Sequence, residues 1–397
     1  VDAAIVNNGT EVLAACDLTA HLGDKRPGSP TRIDLAPGEV CNVRVGAPLG
    51  SARPENEATV TIGCAAGTLS TSVTIPRLPE HSTLHVVEGF HCDPVWISDQ
   101  FRYNFVSLDN TRQMIDGCLA DPGYQAFVHE IDYVKAFVDE YPDYRTAVFE
   151  LVKEGRLNVG SSYSEPNENN CSGEALIRNI LYGQCYHRHF LGGDPTVYHS
   201  WDVFGHTPQL SQILAKSGHT AACWSKFIFG LPPILNHMSP DGTQLPHVRT
   251  SYGWSSRGID DLRTSTASLL AEKHSFGIRR HLVVDAHDFS TPSGWMAGRT
   301  TEMAESYPKI VMTSPEEFVA GLIDDGVDLK VTSRNLTQYH PGTQNSRSEM
   351  KVANRLCENV LATAERWATF ATLMGATYPD LPLDLAWRQV LFGQHHD

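Results

Sequence analysis

The chain has 397 residues, 41% of them hydrophobic, and a formal net charge of −15 at pH 7. That length allows two or three domains with at least one large core. The acidic balance argues against nucleic acid as a partner, because phosphate binding needs a basic surface. No apolar run reaches the ~18 residues of a membrane span, so we expect no membrane insertion.

Residues 1–80 are predicted to form a small all-β sandwich, which would serve as an accessory domain. β-prone runs recur between turn signals such as Asn7-Asn8-Gly9 and Pro37-Gly38. The predicted strands cover residues 4–6, 40–45, 59–62 and 69–75. Because this part holds no catalytic cluster, we expect it to support the rest of the chain or to contact a neighbour. Residues 76–79 are interpreted as the linker.

From about residue 83 the pattern alternates between strands and helices, which predicts an α/β domain with a parallel sheet over residues 81–397. The predicted strands cover residues 84–90, 127–131, 157–161, the stretch around 197 and 198, 220–224 and 281–285. The predicted helices cover residues 143–154, 174–190 and 351–373, with Gly155 ending the first. The stretch 227–280 is rich in Pro, Gly and Ser, and we interpret it as a long irregular excursion on the active-site side.

The nine cysteines are scattered and include no Cys-x-x-Cys pair. An odd count at irregular spacing is not a disulfide framework. We interpret them as small buried side chains in a reducing compartment, which favours the cytoplasm. The chain begins with Val and shows no signal peptide, so secretion stays open if such a segment has been removed. A homo-oligomer also stays open.

Histidines and aspartates follow several of the predicted strands. In an α/β barrel this edge carries the chemistry. The residues concerned are His91 and Asp93, Asp202, Asp288, and His396 with Asp397. His-x-Asp places both side chains on one side of an extended segment, and imidazoles with carboxylates suit a divalent metal, zinc among them.

Two of the candidate residues have ordinary structural interpretations as well. Asp202 stands where a buried strand gives way to a helix, so it could equally cap that helix. Trp96 is a candidate platform on which a sugar stacks, and the alternative is a core tryptophan below the rim.

Three motifs resemble the signature of the α-mannosidases of glycoside hydrolase family 38. They are His-Cys-Asp-Pro-Val-Trp at 91–96, Trp-Asp-Val-Phe-Gly-His at 201–206, and His-His-Asp at 395–397. Residues 165–167 with 172–178, and residues 339–343, also match stretches common in bacterial members. The resemblance runs from about residue 84 to the end of the chain.

This resemblance implies a (β/α)7 barrel and a retaining α-mannosidase acting on an α-mannoside or a mannose-containing glycan. One zinc ion would be held by the positions His91, Asp93, Asp202 and His396. Asp202 would be both metal ligand and nucleophile, and Asp288 the general acid/base, with Asp285, Asp260 and Asp261 as the nearest alternatives. Lys226 and Asp397 match positions that contact sugar hydroxyls.

The implied chemistry agrees with what a retaining glycosidase needs. One ionised carboxylate attacks the anomeric carbon and one protonated carboxyl releases the leaving group, with the two groups about 5–5.5 Å apart. A metal beside the nucleophile can chelate the axial 2-OH and the cis 3-OH of mannose, which makes it a template more than a water activator.

Other functions and a longer chain both stay open. Asp202 could be the base for a metal-bound water in a deacetylase or amidohydrolase, or the chain could bind carbohydrate without turning it over. Because family members continue past the His-His-Asp motif, we expect the natural protein to be longer, with later segments packing on the face that carries His91, Asp202 and His396. The alternative is that residues 1–80 cover that face.

Overall fold

Strands dominate the first part of the chain, and strands alternate with helices in the rest. This computed structural model describes residues 2–22, 30–44, 57–74, 82–226, 231–250, 252, 253, 255–274, 278–336, 340, 342, 345 and 347–397. The strands are β1 (Asp2–Val6), β2 (Leu13–Leu22), β3 (Thr31–Leu35), β4 (Val40–Arg44), β5 (Glu57–Cys64), β6 (Gly67–Thr74), β7 (Thr83–Phe90), β8 (Ala126–Val128), β9 (Leu157–Val159), β10 (Val197–Ser200), β11 (Ala221–Trp224), β12 (Ile234–Met238), β13 (Gln244–Arg249), β14 (Arg280–Asp285), β15 (Lys309–Met312) and β16 (Val331–Thr332).

The helices fall mostly after residue 99. They are α1 (Gln100–Ala120), α2 (Ile131–Glu140), α3 (Arg145–Lys153), α4 (Gly173–Tyr186), α5 (Leu210–Lys216), α6 (Ile259–His274), α7 (Thr300–Glu305), α8 (Pro315–Asp324), α9 (Ser348–Leu373) and α10 (Asp380–Phe392). A 3-10 turn at Pro142–Tyr144 precedes α3, and a π-helix at His187–Leu191 follows α4. Among the described helices, none combines the length and the apolar character that a bilayer crossing requires.

The chain divides into two compact units. The first consists of Val1–Thr83, Ser256–His281 and Met303–Ile310, and the second of Leu84–Ser255, Leu282–Glu302 and Val311–Asp397. The predicted linker at 76–79 lies outside the described residues, and the predicted domain boundary at residue 80 stays a prediction.

Antiparallel sheets form the β-rich part of the first unit. One has the order β3-β2-β5-β6, and β1 pairs with β4. Leu18, Ala20 and Val60 are buried together, because alternate residues of a strand face one side. The predicted strands overlap β1, β4, β5 and β6, whereas β2 and β3 were missed. The packing of these sheets into a sandwich stays a prediction.

Parallel strands form the centre of the second unit. One sheet has the order β14-β7-β8-β9, with β15 also on β7, and both β7-β8 and β8-β9 are parallel. The other has the order β10-β11-β13-β12-β16, where β10, β11 and β13 are parallel and β12 is antiparallel to β13. Strand β7 is buried along nearly its whole length, as expected when both faces of a parallel sheet are covered. Closure into a seven-stranded barrel stays a prediction.

The interpretation of residues 227–280 as irregular is wrong. The described part of this stretch contains β12, β13 and α6. Pro246 lies inside β13 opposite Asn236 of β12, and proline and asparagine are depleted in strands, so the local pattern hid both strands.

The predicted helix at 351–373 corresponds to α9, but its apolar side chains are not what holds it. Val352, Leu356, Val360, Trp367 and Leu373 are all exposed, and Glu358 is the buried residue of this helix. The Glu358 carboxylate accepts hydrogen bonds from the backbone N–H of Ser172 and from Gln394 Nε2. Polar contacts therefore tie α9 to α4 and to the segment after α10.

Two glycines allow backbones to touch where the site is built. A Cβ at Gly160 would lie 1.8 Å from the backbone O of His129, and one at Gly183 would lie 2.1 Å from the backbone O of Ser161. Helix α4 therefore packs directly against the segment that leads from β9 to Glu165.

We expect Gly183→Ala to destabilise the protein by at least about 1–3 kcal/mol, the usual cost of overpacking. Alanine normally favours a helix over glycine by ~1 kcal/mol, so the expected sign is opposite to the intrinsic propensity. The control is Gly173→Ala in the same helix, because nothing lies within 4 Å of the added Cβ there. Chemical unfolding measures both variants, and equal stabilities would contradict the packing argument.

Buried neutral histidines predict a loss of stability in acid. Burial lowers the pKa of His187 to about 4, of His219 to about 4 and of His199 to about 3. Below pH 6.5 these three histidines become protonated in the unfolded chain but stay neutral in the folded protein. The free energy of unfolding should therefore be unaffected by them above pH 6.5 and should fall towards pH 4, by at most ~1.4 kcal/mol per pH unit for each histidine.

The variant His187→Gln tests this linkage. Its amide nitrogen reaches about as far as the imidazole Nε2, so it can still donate to the backbone O of Gly160, which lies 3.0 Å from His187 Nε2, but it cannot take up a proton. Denaturation curves between pH 7 and pH 4 should show a shallower loss of stability for the variant. Identical slopes would contradict the assignment.

Candidate active site

The site is assembled from segments that follow the carboxyl ends of strands and from the segment that follows helix α10. His91 and Asp93 follow β7, His129 and Glu130 follow β8, Glu165 lies beyond β9, Asp202 follows β10, Lys226 follows β11, Tyr252 follows β13, Asp288 follows β14, and His395, His396 and Asp397 follow α10. Parallel strands bring such ends to one edge of a sheet, which is where α/β proteins bind ligands.

The four predicted metal-binding side chains are brought together. One nitrogen or oxygen atom from each of His91, Asp93, Asp202 and His396 lies within 4.8 Å of the others, and all four residues are buried. Asp93 Oδ1 lies 2.9 Å from His91 Nε2 and 3.2 Å from His396 Nε2. Asp202 Oδ2 lies 3.7 Å from His396 Nε2.

The donor set fits a divalent cation. Ligands that share a zinc at 2.0–2.2 Å lie at most about 4.4 Å apart, close to the spacing found here. Burial alone lowers the pKa of His91, but the hydrogen bond and charge of Asp93, with the charge of Glu165, raise it to about 9. Burial opposes ionisation of Asp93, yet hydrogen bonds from His396 and His91 hold its pKa well below the usual range. A buried carboxylate such as Asp93 is stable only beside a positive charge, which either a protonated histidine or a bound metal ion can provide.

A second buried layer lies behind these four side chains. Glu165 Oε2 lies 3.5 Å from His91 Nδ1, 3.6 Å from His129 Nδ1 and 3.6 Å from His396 Nδ1. The backbone N–H of Glu165 donates to Glu130 Oε2. Burial raises the pKa of Glu130 to about 7, with His91 and His396 acting in the opposite direction. Burial also lowers the pKa of His129 well below its ordinary value.

Asp202 is held by groups from three other segments. Lys226 Nζ contacts Asp202 Oδ1, and the backbone N–H of Asp202 donates to Glu165 Oε1 at 2.9 Å. The Tyr252 phenol hydrogen-bonds to Asp202, and its pKa is raised by burial and by the charges of Asp202 and Asp288. Asp202 is therefore a fixed, buried carboxylate rather than a simple helix cap.

Asp288 lies beside the metal-binding cluster. It forms a parallel β-bridge with His91, and the next residue, Phe289, donates its backbone N–H to the backbone O of His91 at 2.8 Å. Among the described residues, Asp288 Oδ1 is buried without a hydrogen-bond partner. Of the alternatives, Asp285 is the buried last residue of β14, while Asp260 and Asp261 belong to α6 in the other compact unit.

The predicted substrate-binding residues Trp96 and Asp397 lie at the exposed edge of the site. Trp96 is 55% exposed and stacks on Phe289 with ring centroids 5.9 Å apart, so the alternative of a core tryptophan does not hold. Phe289 stacks in turn on Tyr103. Asp397 is exposed, and its pKa is raised to about 6 by partial desolvation and by Asp93 and Asp202, against the effect of His396. Of the motif at 339–343, residues 339, 341 and 343 lie outside the described residues.

Several residues of this site were not predicted from the sequence, namely His129, Glu130, Tyr252 and His395, and Glu165 was assigned no role. His129 and Glu130 directly follow Val128, the last residue of β8, so the strand-end rule that found His91 could have found them. Tyr252 could not be found in this way, because the two strands before it were not recognised.

Two family models match the parts of the chain that carry the site residues His91, Asp202 and His396. The family model described as Glycosyl hydrolases family 38 N-terminal domain matches residues 81–255, and the one described as Alpha mannosidase middle domain matches residues 338–397. Together they span more than half of the chain. The chain belongs to glycoside hydrolase family 38.

Curated relatives and solved structures agree with this membership. Alpha-mannosidase 2C1 of Homo sapiens is 25% identical over 330 residues, which is 79% of this chain and 31% of that protein. Alpha-mannosidase G of Dictyostelium discoideum is 26% identical over 283 residues, 65% of this chain and 25% of that protein. The chain thus spans about a third or less of these relatives.

The crystal structure of an alpha-mannosidase from Enterococcus faecalis V583 superimposes with a TM-score of 0.72 at 17% identity. It covers 79% of this chain and 38% of that one. At this identity the likeness shows the fold alone, a mixed α/β domain with parallel sheets.

We expect the protein to bind one zinc ion that a chelator removes and added zinc restores. His396→Ala should weaken zinc binding by more than about 100-fold. Removing a residue that only hydrogen-bonds to a metal ligand costs about 10–100-fold, and the loss of a ligand itself should exceed that range. His189→Ala is the control, because His189 is an exposed histidine. Metal titration of the apoprotein measures both variants, and unchanged affinity in His396→Ala would exclude that residue as a ligand.

Proposed function

We propose that the protein is a retaining, zinc-dependent α-mannosidase that hydrolyses α-mannosidic bonds. The observation that carries this proposal is the buried convergence of His91, Asp93, Asp202 and His396 in a chain of glycoside hydrolase family 38. The names of the two curated relatives described above, both alpha-mannosidases, supply the substrate class: an α-mannoside or a mannose-containing glycan.

Asp202 acts as the nucleophile. Its carboxylate would attack the anomeric carbon and form a covalent glycosyl-enzyme intermediate, which water then hydrolyses with net retention. The contacts with Lys226 and Tyr252, and the backbone hydrogen bond to Glu165, fix the carboxylate in one orientation before the substrate arrives. Such preorganisation lowers the barrier because less reordering remains for the reaction itself.

Asp288 acts as the general acid and then as the general base. It would protonate the leaving oxygen in the first step and take a proton from water in the second. Two observations support this role: Asp288 is bridged to His91, and its Oδ1 has no hydrogen-bond partner among the described residues. The residue as a whole is only half-buried, so its carboxyl group lies within reach of a substrate at the edge of the cluster.

The metal and the rim residues would orient the sugar. His91, Asp93, Asp202 and His396 would hold the zinc, which when bound supplies positive charge for the 2-OH and 3-OH of mannose. The exposed face of Trp96 offers an apolar surface for stacking. Lys226 and Asp397 flank the cluster and can hydrogen-bond to sugar hydroxyls.

The architecture proposed for this function is a (β/α)7 barrel within residues 81–397, with a β-sandwich in residues 1–80. The parallel pairs β7-β8-β9 and β10-β11-β13 support the barrel. The antiparallel sheets of the first unit support the sandwich.

Two substitutions separate the proposed roles. Asp202→Ala should abolish turnover of every α-mannoside. Asp288→Ala should lower the hydrolysis of an α-mannose disaccharide by about 10²–10⁴-fold, the usual contribution of general acid catalysis. An aryl α-mannoside with a good leaving group should lose far less in its first step, because that departure needs little protonation.

The control for these variants is Asp260→Ala, because this carboxylate is exposed and, within the part of the chain that the structure describes, pairs with Arg263 of the same helix. NMR of the first-formed product should show α-mannose. Equal losses on both substrates for Asp288→Ala would place the acid elsewhere. Release of acetate from an acetylated sugar without glycoside cleavage would favour a deacetylase instead.

A further inference from the structure

The two histidines of the proposed metal site present the same ring nitrogen to the same acid. His91 Nε2 faces Asp93 Oδ1 at 2.9 Å, whereas His91 Nδ1 faces Glu165 Oε2 at 3.5 Å. The Nδ1 atom and Glu165 Oε2 are both fully buried without a hydrogen-bond partner among the described residues, so each is the other's nearest charged contact rather than a hydrogen-bond partner. The Nε2 side of the ring therefore belongs to the cluster with Asp93, and the Nδ1 side to Glu165.

His396 repeats this arrangement from the other end of the chain. Its Nε2 lies 3.2 Å from Asp93 Oδ1 and 3.7 Å from Asp202 Oδ2. Its Nδ1 lies 3.1 Å from the backbone O of Glu165 and 3.6 Å from Glu165 Oε2. Because a carbonyl oxygen only accepts hydrogen bonds, Nδ1 must carry the proton there, which leaves Nε2 free to bind a metal.

Glu165 also holds the third ligand position and is itself firmly anchored. Its Oε1 accepts the backbone N–H of Asp202 at 2.9 Å, and its backbone O accepts the backbone N–H of His396. Its own N–H donates to Glu130, and the neighbouring Pro166 forms a β-bridge with His395. The carboxylate is 0% exposed, so no water competes for it.

We propose that Glu165 is the positioning residue of the metal site, a single buried carboxylate that orients His91, His396 and Asp202 together. Polar groups that face the outer nitrogens of ligating histidines fix the tautomer and make the imidazole a stronger ligand. Glu165 supplies such groups with its carboxylate, 3.5 Å from His91 Nδ1 and 3.6 Å from His396 Nδ1, and with its backbone O, which accepts a hydrogen bond from His396. Because Glu165 contacts both His91 and His396, it also links the segment after β7 to residues 395–397. This inference rests on the metal site of the proposed function and assigns Glu165 no contact with substrate.

The test compares Glu165→Gln with Glu168→Gln. Both glutamates are buried and lie in the same loop, but Glu168 bonds to His206 and to the backbone N–H of Thr207, away from the metal-binding side chains. Zn²⁺ and Co²⁺ are titrated into each apoprotein after its folding has been checked by circular dichroism. Glu165→Gln should weaken metal binding by about 10–100-fold, and Glu168→Gln should stay close to the wild type. Glu165→Asp, which keeps the charge, should recover part of the loss.

Proton NMR of the Co²⁺-loaded wild-type protein gives a measurement that needs no variant. Two exchangeable, strongly shifted N–H signals should appear, one from the Nδ1–H of each ligating histidine. Their absence would overturn the proposal even if Glu165→Gln failed to fold. Equal affinities in the two glutamine variants would overturn the role of Glu165 and leave the metal site standing. A wild-type protein that binds neither Zn²⁺ nor Co²⁺ would overturn both.

Discussion

The site depends on the compensation of negative charge on buried carboxylates. Asp93, Glu130, Glu165 and Asp202 are all buried, three of them almost completely. Isolated buried carboxylates are expensive unless they are paired with cations or neutralised. The protein meets this need in graded fashion: the pKa of Asp93 is held low, while the pKa of Glu130 is raised by burial to about 7. The need for a compensating positive charge is therefore greatest at Asp93, in the cluster proposed to hold the metal.

The scaffold fixes these charges through backbone contacts rather than through long side chains. Gly160 and Gly183 allow backbones to approach more closely than any Cβ permits, which seats the loop that carries Glu165. The segment after α10 is tied down by Gln394, which donates to Glu358 and accepts, through its backbone O, the N–H of Asn167. Rigid supports of this kind matter because catalytic geometry tolerates errors of only about 0.5 Å.

The sequence was informative where one local rule sufficed. His91, Asp93, Asp202 and Asp288 were found because each follows a buried apolar run, and such runs make parallel strands. Glu165 could not be given a role in this way, because its importance comes from three segments that meet it in space. The strands before Tyr252 were missed for a different reason: Pro246 lies within β13, which breaks the usual strand pattern. The long helix α9 was found by its spacing, but its apolar residues are exposed, so periodicity did not reveal its contacts.

The neighbouring residues His395 and His396 have opposite pKa shifts because their surroundings differ. The two rings lie 4.2 Å apart, yet burial lowers the pKa of His395 well below its ordinary value, while carboxylates raise that of His396 well above it despite burial. His395 faces Glu130, the acid that burial itself keeps weak, and His396 faces Asp93, Asp202 and Glu165. A His-His-Asp motif therefore does not by itself identify its ligand. The ligand is identified by which ring lies beside Asp93 and Asp202, and only the folded arrangement of β7, β10 and the segment after α10 brings these residues together.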